Sequence, residues 1–177
     1  MKNWKLLKKE LVYNHPFRKI EEWTMLRHDG STSPYSVDVT GDAVIVFGIT
    51  DDKKVLLLEQ IFLPTEKVHK TLVAGFLDEG KSPEEVAKKE LREEAGCTAE
   101  EMISLGNALL GKWTNRYMHF FLAKGVKVVG DQELEMAEQI EYSFVDVAEM
   151  KELLKAGEIQ DLTSEICARR ALDYLDL

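Results

Sequence analysis

The stretch GFLDEGKSPEEVAKKELREEAGC, Gly75 to Cys97, decides how this chain reads. Ser82-Pro83-Glu84-Glu85 supplies a helix start: an N-cap, a proline at the first helical position and a capping-box glutamate. Gly96 is the natural residue just past the helix end. Between them, Val86, Ala87 and Leu91 mark a buried edge, and Glu90, Glu93 and Glu94 flank it. On a helix these three carboxylates fall within an arc of roughly 100°. Like charges that close repel one another unless a cation lies between them. A divalent metal with oxygen ligands is the economical answer, and Mg²⁺ usually arrives carrying a substrate phosphate. The segment therefore points to metal-assisted chemistry on a phosphate.

The first 72 residues read mostly as strands. FRKIEEWTML ends at the turn signal Asp29-Gly30, and SPYSVDV alternates Tyr35, Val37 and Val39. DAVIVFGIT and VLLLEQIF flank the charged turn DDKK and predict a hairpin of well-buried strands. KTLVAG predicts one further short strand. WKLLKKELVY is open between helix and strand. After the glutamate helix, strands are expected around Met102–Leu109, Tyr117–Ala123 and Ile140–Val147. Helices are expected at Ala148–Ala156 and Leu162–Leu175. Strands interleaved with helices predict an α/β sandwich with a mixed sheet.

Composition bounds the function. The 177 residues carry 23 Lys and Arg against 32 Asp and Glu, a net charge of −9, which speaks against nonspecific nucleic-acid binding by a basic surface. Two cysteines, Cys97 and Cys167, provide no disulfide framework and suit a reducing compartment. The opening MKNWKLLKKELVYNHP has no uninterrupted apolar region and predicts no secretory signal. No apolar run approaches the roughly 20 residues of a membrane span. A cytoplasmic location is the resulting expectation, with neither membrane nor nucleic acid as a partner.

The 23-residue stretch resembles the signature of Nudix hydrolases, G-x5-E-x7-R-E-U-x-E-E-x-G-U, where U is bulky and aliphatic. Gly75, Glu90, Leu91, Glu93, Glu94 and Gly96 fall on their positions, and Cys97 serves as the last apolar residue. Glu59-Gln60-Ile61, Val73-Ala74-Gly75 and Gly157-Glu158-Ile159 look like the ADP-ribose and nucleoside-diphosphate-sugar pyrophosphatase branch. The resemblance implies a Nudix-type α/β/α sandwich over 41–177. It also implies a small N-terminal strand extension, 1–40, serving dimerisation and base binding, and hence a homodimer.

The resemblance further implies Mg²⁺, with Mn²⁺ as a substitute, held by Glu90, Glu94 and the carbonyl of Ala74. Glu93 would share that duty or orient a metal-bound water. Glu138 matches the late glutamate that binds metal or acts as general base, with Glu135 and Glu141 as neighbouring competitors. Glu93, Glu94 and Glu138 are thus the catalytic candidates. Gln60 and Gly75 fall in the substrate-binding segments. The expected reaction is hydrolysis of the diphosphate of a nucleoside diphosphate sugar to a nucleoside monophosphate and a sugar phosphate. Dinucleoside polyphosphates or other nucleotides are alternative substrates.

Several positions depart from the pattern. Lys81 replaces the first glutamate and Lys89 the arginine, so the ion pair those two would make is expected to be lost. Phe62 stands where the branch usually has a phosphate-contacting arginine, and Thr71 where it has glutamate. In the loop LLGKWTNRY, Lys112 and Arg116 are candidates to hold phosphate. Trp113 is a candidate to stack on a base or sugar, or else caps the core edge. Phe17 and Trp23 are candidate base-stacking residues, with core packing or a dimer contact as the alternative. His119 reads as structural.

Two rival readings use the same residues. Gly75 to Ser82 also satisfies the P-loop pattern G-x-x-x-x-G-K-[ST], with Val145-Asp146 as the later magnesium aspartate. Against it, Asp78 and Glu79 would oppose a triphosphate, and the three clustered glutamates would have no task. The other rival is a Nudix-fold binding module without catalysis.

Overall fold

The computed structural model describes residues 4–136 and 138–177. Its elements are β1 (Lys5–His15), β2 (Arg18–Leu26), β3 (Thr32–Asp38), β4 (Ala43–Ile49), β5 (Lys54–Phe62), β6 (Lys67–Thr71), β7 (Val73–Phe76), α1 (Pro83–Ala95), β8 (Cys97–Thr98), β9 (Glu101–Leu109), β10 (Tyr117–Lys124), β11 (Lys127–Val128), β12 (Ile140–Asp146), α2 (Val147–Ala156) and α3 (Leu162–Tyr174). They form two compact units, Met1–Asp42 with Ala108–Tyr117, and Ala43–Asn107 with Met118–Leu177.

In the first unit β1, β2 and β3 make an antiparallel sheet. The ambiguous opening segment is therefore a strand, its register shifting between Leu6 and Lys8 and again between Leu11 and Tyr13. The segment after β9 is tied to β3 through Asp38. The Asp38 amide donates to Trp113 O at 2.9 Å, and Thr114 Oγ1 donates to Asp38 O at 2.8 Å.

The second unit is built on a mixed sheet in the order β12-β5-β4-β10-β9, with β6 joined to β5 and β7 to β4. β10 runs parallel to β4, while β12 is antiparallel to β5. Every residue of β4 is buried, as expected of a strand covered on both faces. On one face Val44, Val46, Leu56, Leu58 and Phe121 pack with Val86, Ala87, Leu91 and Ala95 of α1. On the other, Cys167 of α3 lies with Sγ 3.6 Å from Ile45 O, and Arg170 covers the Phe120 ring at 4.7 Å. Helices thus flank a mixed sheet, the α/β architecture expected from the interleaved pattern.

The expected single strand KTLVAG is two. β6 pairs with β5 and β7 with β4, and the break falls at Leu72. There the Leu72 amide leaves the ladder and donates to Ser164 Oγ of α3 at 3.0 Å, so the chain changes partner strands at that residue. The consequence is that Ala74 and Gly75 are placed on the central strand, in register with Ile45 and Val44.

Candidate active site

α1 begins and ends as its sequence dictates. Ser82 Oγ accepts the Glu85 amide and the Glu85 carboxylate accepts the Ser82 amide, completing the capping box, and Pro83 opens the helix. Gly96 closes it at φ 61°, a left-handed conformation that favours glycine. The frame fixes which carboxylates face inward. Glu90 and Glu94 are buried, and Glu93 is half-buried between them and solvent.

β7 meets this face directly. The Ala74 amide donates to Glu94 Oε2 at 2.9 Å. A Cβ on Gly75 would lie 2.2 Å from Glu90 Cδ, so the glycine is what admits the Glu90 carboxyl against the strand. Burial pushes the Glu90 carboxyl up to about 7; Lys89 opposes the rise, while the charges of Glu93 and Glu138 add to it. Burial likewise raises Glu94 well above the usual range, against the stabilising Ala74 amide and with Glu90, Glu138 and Glu93 reinforcing the shift. The charges of Glu93 and Glu138 thus bear on both buried carboxyls.

Lys89 contacts two of these acids. Its Nζ lies 3.0 Å from Glu93, 3.4 Å from Glu90 and 3.7 Å from Asp78. Burial disfavours the ammonium, yet these partners together hold its pKa above that of an ordinary lysine. Among the described residues no three His, Cys, Asp or Glu side chains are gathered at metal-holding spacing. The donor set still fits a hard divalent cation. It is all oxygen, Glu90 and Glu94 have pKa values raised by burial and by neighbouring carboxylates, and the Gly75 cradle keeps the Glu90 carboxyl within it.

The loop before α1 carries a brace that the sequence concealed. Asp78 Oδ2 lies 3.0 Å from Lys81 Nζ and 3.7 Å from Lys89 Nζ, and the Lys81 contact is the main cause of its lowered pKa. The ion pair expected to vanish with the two lysine replacements is thus rebuilt through a third residue. The P-loop alternative finds its parts engaged elsewhere. Lys81 pairs with Asp78, Ser82 caps α1, and Asp146 stands at the N-cap position of α2 with Lys54 at 2.7 Å.

The remaining candidates divide between the units. In the second, Gln60 Nε2 donates to Thr71 Oγ1 at 2.9 Å, and the Phe62 ring lies tilted against His69 with centroids 4.7 Å apart. In the first, Trp113 is half-exposed and lies over the backbone of Gly111, where a Cβ would come within 2.5 Å of its ring. Lys112 O accepts from the Tyr35 hydroxyl at 2.8 Å, and the Arg116 guanidinium lies 3.5 Å from Asp38. Phe17 is well exposed at the β1–β2 turn beside His15. The Trp23 indole donates to Glu21 at 2.7 Å and faces the Lys9 ammonium. Core packing, one alternative for Phe17 and Trp23, does not describe the exposed Phe17, whereas Trp23 is partly buried.

A family profile for the NUDIX domain matches residues 39–166. The chain belongs to the NUDIX family. Among curated proteins it is 28% identical over 151 residues to an ADP-ribose pyrophosphatase of Bacillus subtilis (strain 168), covering 84% of this chain and 80% of that protein. It is also 29% identical over 178 residues to a methanol dehydrogenase activator of Bacillus methanolicus, covering 98% and 92%. Among solved structures, one described as an ADP compounds hydrolase superposes with a TM-score of 0.84 at 19% identity, covering 99% of this chain and 96% of that one. This NUDIX protein is a hydrolase, similar in sequence to a named ADP-ribose pyrophosphatase.

Proposed function

We propose that this NUDIX hydrolase cleaves the diphosphate of a nucleoside diphosphate sugar, ADP-ribose-like or a nucleoside diphosphate hexose, using Mg²⁺, with Mn²⁺ as a substitute. The observation that carries the reading is the inward cluster of Glu90 and Glu94 against Ala74 and Gly75, with Glu93 and Glu138 acting on the same space. Kinship to a named ADP-ribose pyrophosphatase supports the substrate class.

In this reading the Ala74 carbonyl, Glu90, Glu93, Glu94 and Glu138 hold the metal. Bound there, Mg²⁺ supplies charge neutralisation of the diphosphate and a more acidic water. Glu93 or Glu138 accepts the proton of the attacking water, and in-line attack breaks one P–O bond of the diphosphate. Gly75 leaves room for Glu90, and Gln60 lines the substrate side of β5. Lys112 and Arg116 hold phosphate, Arg116 being oriented by Asp38. Trp113, Phe17 and Trp23 offer aromatic faces to the base or sugar. The N-terminal extension, proposed over 1–40 with residues 1–3 outside the described residues, serves a homodimer interface, supported by the exposed apolar side chains of β1, among them Leu7, Leu11 and Val12. The protein acts in the cytoplasm on a small nucleotide-sugar, and among the described residues no helix is long and apolar enough to cross a membrane.

The test is Mg²⁺-dependent turnover of a panel: ADP-ribose, ADP- and GDP-sugars, dinucleoside polyphosphates and nucleoside triphosphates. Hydrolysis in ¹⁸O-labelled water should label a phosphate product; label confined to the sugar carbon contradicts the mechanism. The relative named as a dehydrogenase activator favours a second reading, a NUDIX-fold module acting through a partner enzyme. That reading gains if the panel is inert and Glu93→Gln leaves the biological effect intact.

A further inference from the structure

The last turn of any helix exposes carbonyls it cannot satisfy by itself. In α1 the partners come from a distant stretch, residues 129–133. Val129 and Gly130 amides donate to Gly96 O at 2.9 and 3.2 Å, and the Glu133 amide donates to Glu93 O at 2.8 Å. Arg92 adds a hydrogen bond to Asp131 O at 3.0 Å and an ion pair to Glu133 at 3.1 Å. The acidic segment is in effect the C-terminal cap of the glutamate helix.

One side chain in it does more than cap. Gln132 Nε2 has two N–H donors, and both are used: one on Glu94 O at 2.6 Å, the other on Ile140 O at 3.1 Å. Glu94 is the residue whose carboxylate takes the Ala74 amide. Ile140 is the first residue of β12. The loop between Gln132 and Ile140 contains Glu138. A single amide therefore closes both ends of that loop and fastens them to the backbone of α1 at the position that carries the buried acid.

We propose that Gln132 is a positioning residue that sets Glu138 against Glu90 and Glu94. The inference rests on the hydrolase reading above, in which Glu138 binds metal or takes a proton. The bonds that Glu138 makes for itself do not do this job. Its carboxylate accepts the Glu135 amide at 2.8 Å and its own amide donates to Glu135 O at 3.0 Å, both inside the loop. They shape the turn without fixing it to the helix. Arg92 reaches residues 131 and 133, on one side of Glu138. Among the described contacts, Gln132 is the side chain that grips the loop's two ends and α1 together.

The experiment is a double-mutant comparison of Gln132→Met and Glu138→Gln, singly and combined, with ADP-ribose and Mg²⁺. Methionine keeps length and bulk and removes both donors. If Gln132 acts through Glu138, its replacement lowers kcat by about 10- to 100-fold with KM within about two-fold. In the Glu138→Gln background the same replacement adds almost nothing. Hydrogen exchange gives a readout independent of turnover: amides between Gln132 and Ile140 exchange faster, while those of α1 before Glu93 do not. Should the methionine variant fail to fold, Gln132→Asn, which keeps the amide but is one methylene short, takes its place in the same comparison. Multiplicative losses in the double variant, unchanged exchange, or a Glu138→Gln variant as active as wild type would each overturn the inference. A wild-type protein inert on the whole panel sinks the hydrolase reading and this role with it. An active wild type with multiplicative losses sinks this role alone.

Discussion

The Ala74 amide donates to Glu94 Oε2 across 2.9 Å, joining the strand that leads into the loop to the helix that follows it. The acceptor is a carboxyl that burial drives well above the usual pKa range. A glutamine there keeps an acceptor for the Ala74 amide and removes the charge. Glu94→Gln should therefore hold or raise the melting temperature of the metal-free protein, because a buried carboxyl beside other acids is costly to keep. Turnover should fall by at least about 100-fold, the scale seen when a preorganised charged group is removed from a reaction centre. A variant that unfolds instead would mean that the Glu94 charge holds the fold together.

Stability should depend on pH and metal in opposite senses. Glu90 has an ordinary value of 4.5 and is raised to about 7 when folded. Across that interval the folded chain binds more protons than the unfolded one, so this carboxyl makes the metal-free protein less stable as pH rises. A divalent cation binds the deprotonated form, so its stabilising effect should grow over the same interval. Thermal melts with and without Mg²⁺ or Mn²⁺ check both slopes. Glu90→Gln should lessen the metal-free slope and leave the share that Glu94 contributes; an unchanged slope in that variant would show that Glu90 is not a source of it.

Gly75 offers a sharper probe of the same space. A methyl group there would stand 2.2 Å from Glu90 Cδ and 2.4 Å from its Oε1, contacts that no packing tolerates. The obstructing atoms are the far end of a side chain, so Glu90 gives way and the strand does not. Gly75→Ala should cost about 1–3 kcal/mol at most, the range for overpacking. Its main effect should be loss of Mn²⁺ affinity, followed by the ion's electron paramagnetic resonance signal. Normal affinity in a folded Gly75→Ala protein would place the metal away from Glu90.

Much of this was legible because it is local. The capping box at Ser82 and Glu85, the stop at Gly96 and the arc of three glutamates are all set by spacing along one helix. Helix periodicity converts that spacing directly into a face. The two-sided burial of β4 was equally readable from an unbroken apolar run. What escaped the sequence depends on distance. The partner exchange at Leu72 rests on Ser164 of α3, and the Gln132 amide reaches Glu94 and Ile140, separations over which no periodicity speaks. Asp78 was hidden for another reason. It lies within the motif, but the pattern assigns its brace to positions 81 and 89, and only coordinates show one carboxylate serving both lysines.

Asp78 lies 3.0 Å from Lys81 and 3.7 Å from Lys89, while Lys89 also contacts Glu90 and Glu93. All three side chains of the Asp78 pairs are about a third or more exposed, so the bonds contribute under about 1 kcal/mol each to stability. Their effect should instead be on where the Lys89 charge rests. Lys81→Ala leaves Asp78 to Lys89 alone and should keep most activity, whereas a phosphate-cradling lysine at 81 would make that variant fail to bind nucleotide. Asp78→Ala withdraws the outer carboxylate from Lys89 and leaves its ammonium to Glu90 and Glu93. A cation held there competes with the metal, so Mn²⁺ affinity should drop several-fold while the melting temperature barely moves. Restoration of affinity in an Asp78→Ala/Lys89→Gln double variant would identify the ammonium as the competitor; a further loss would show that Lys89 supports the glutamates rather than opposing the metal.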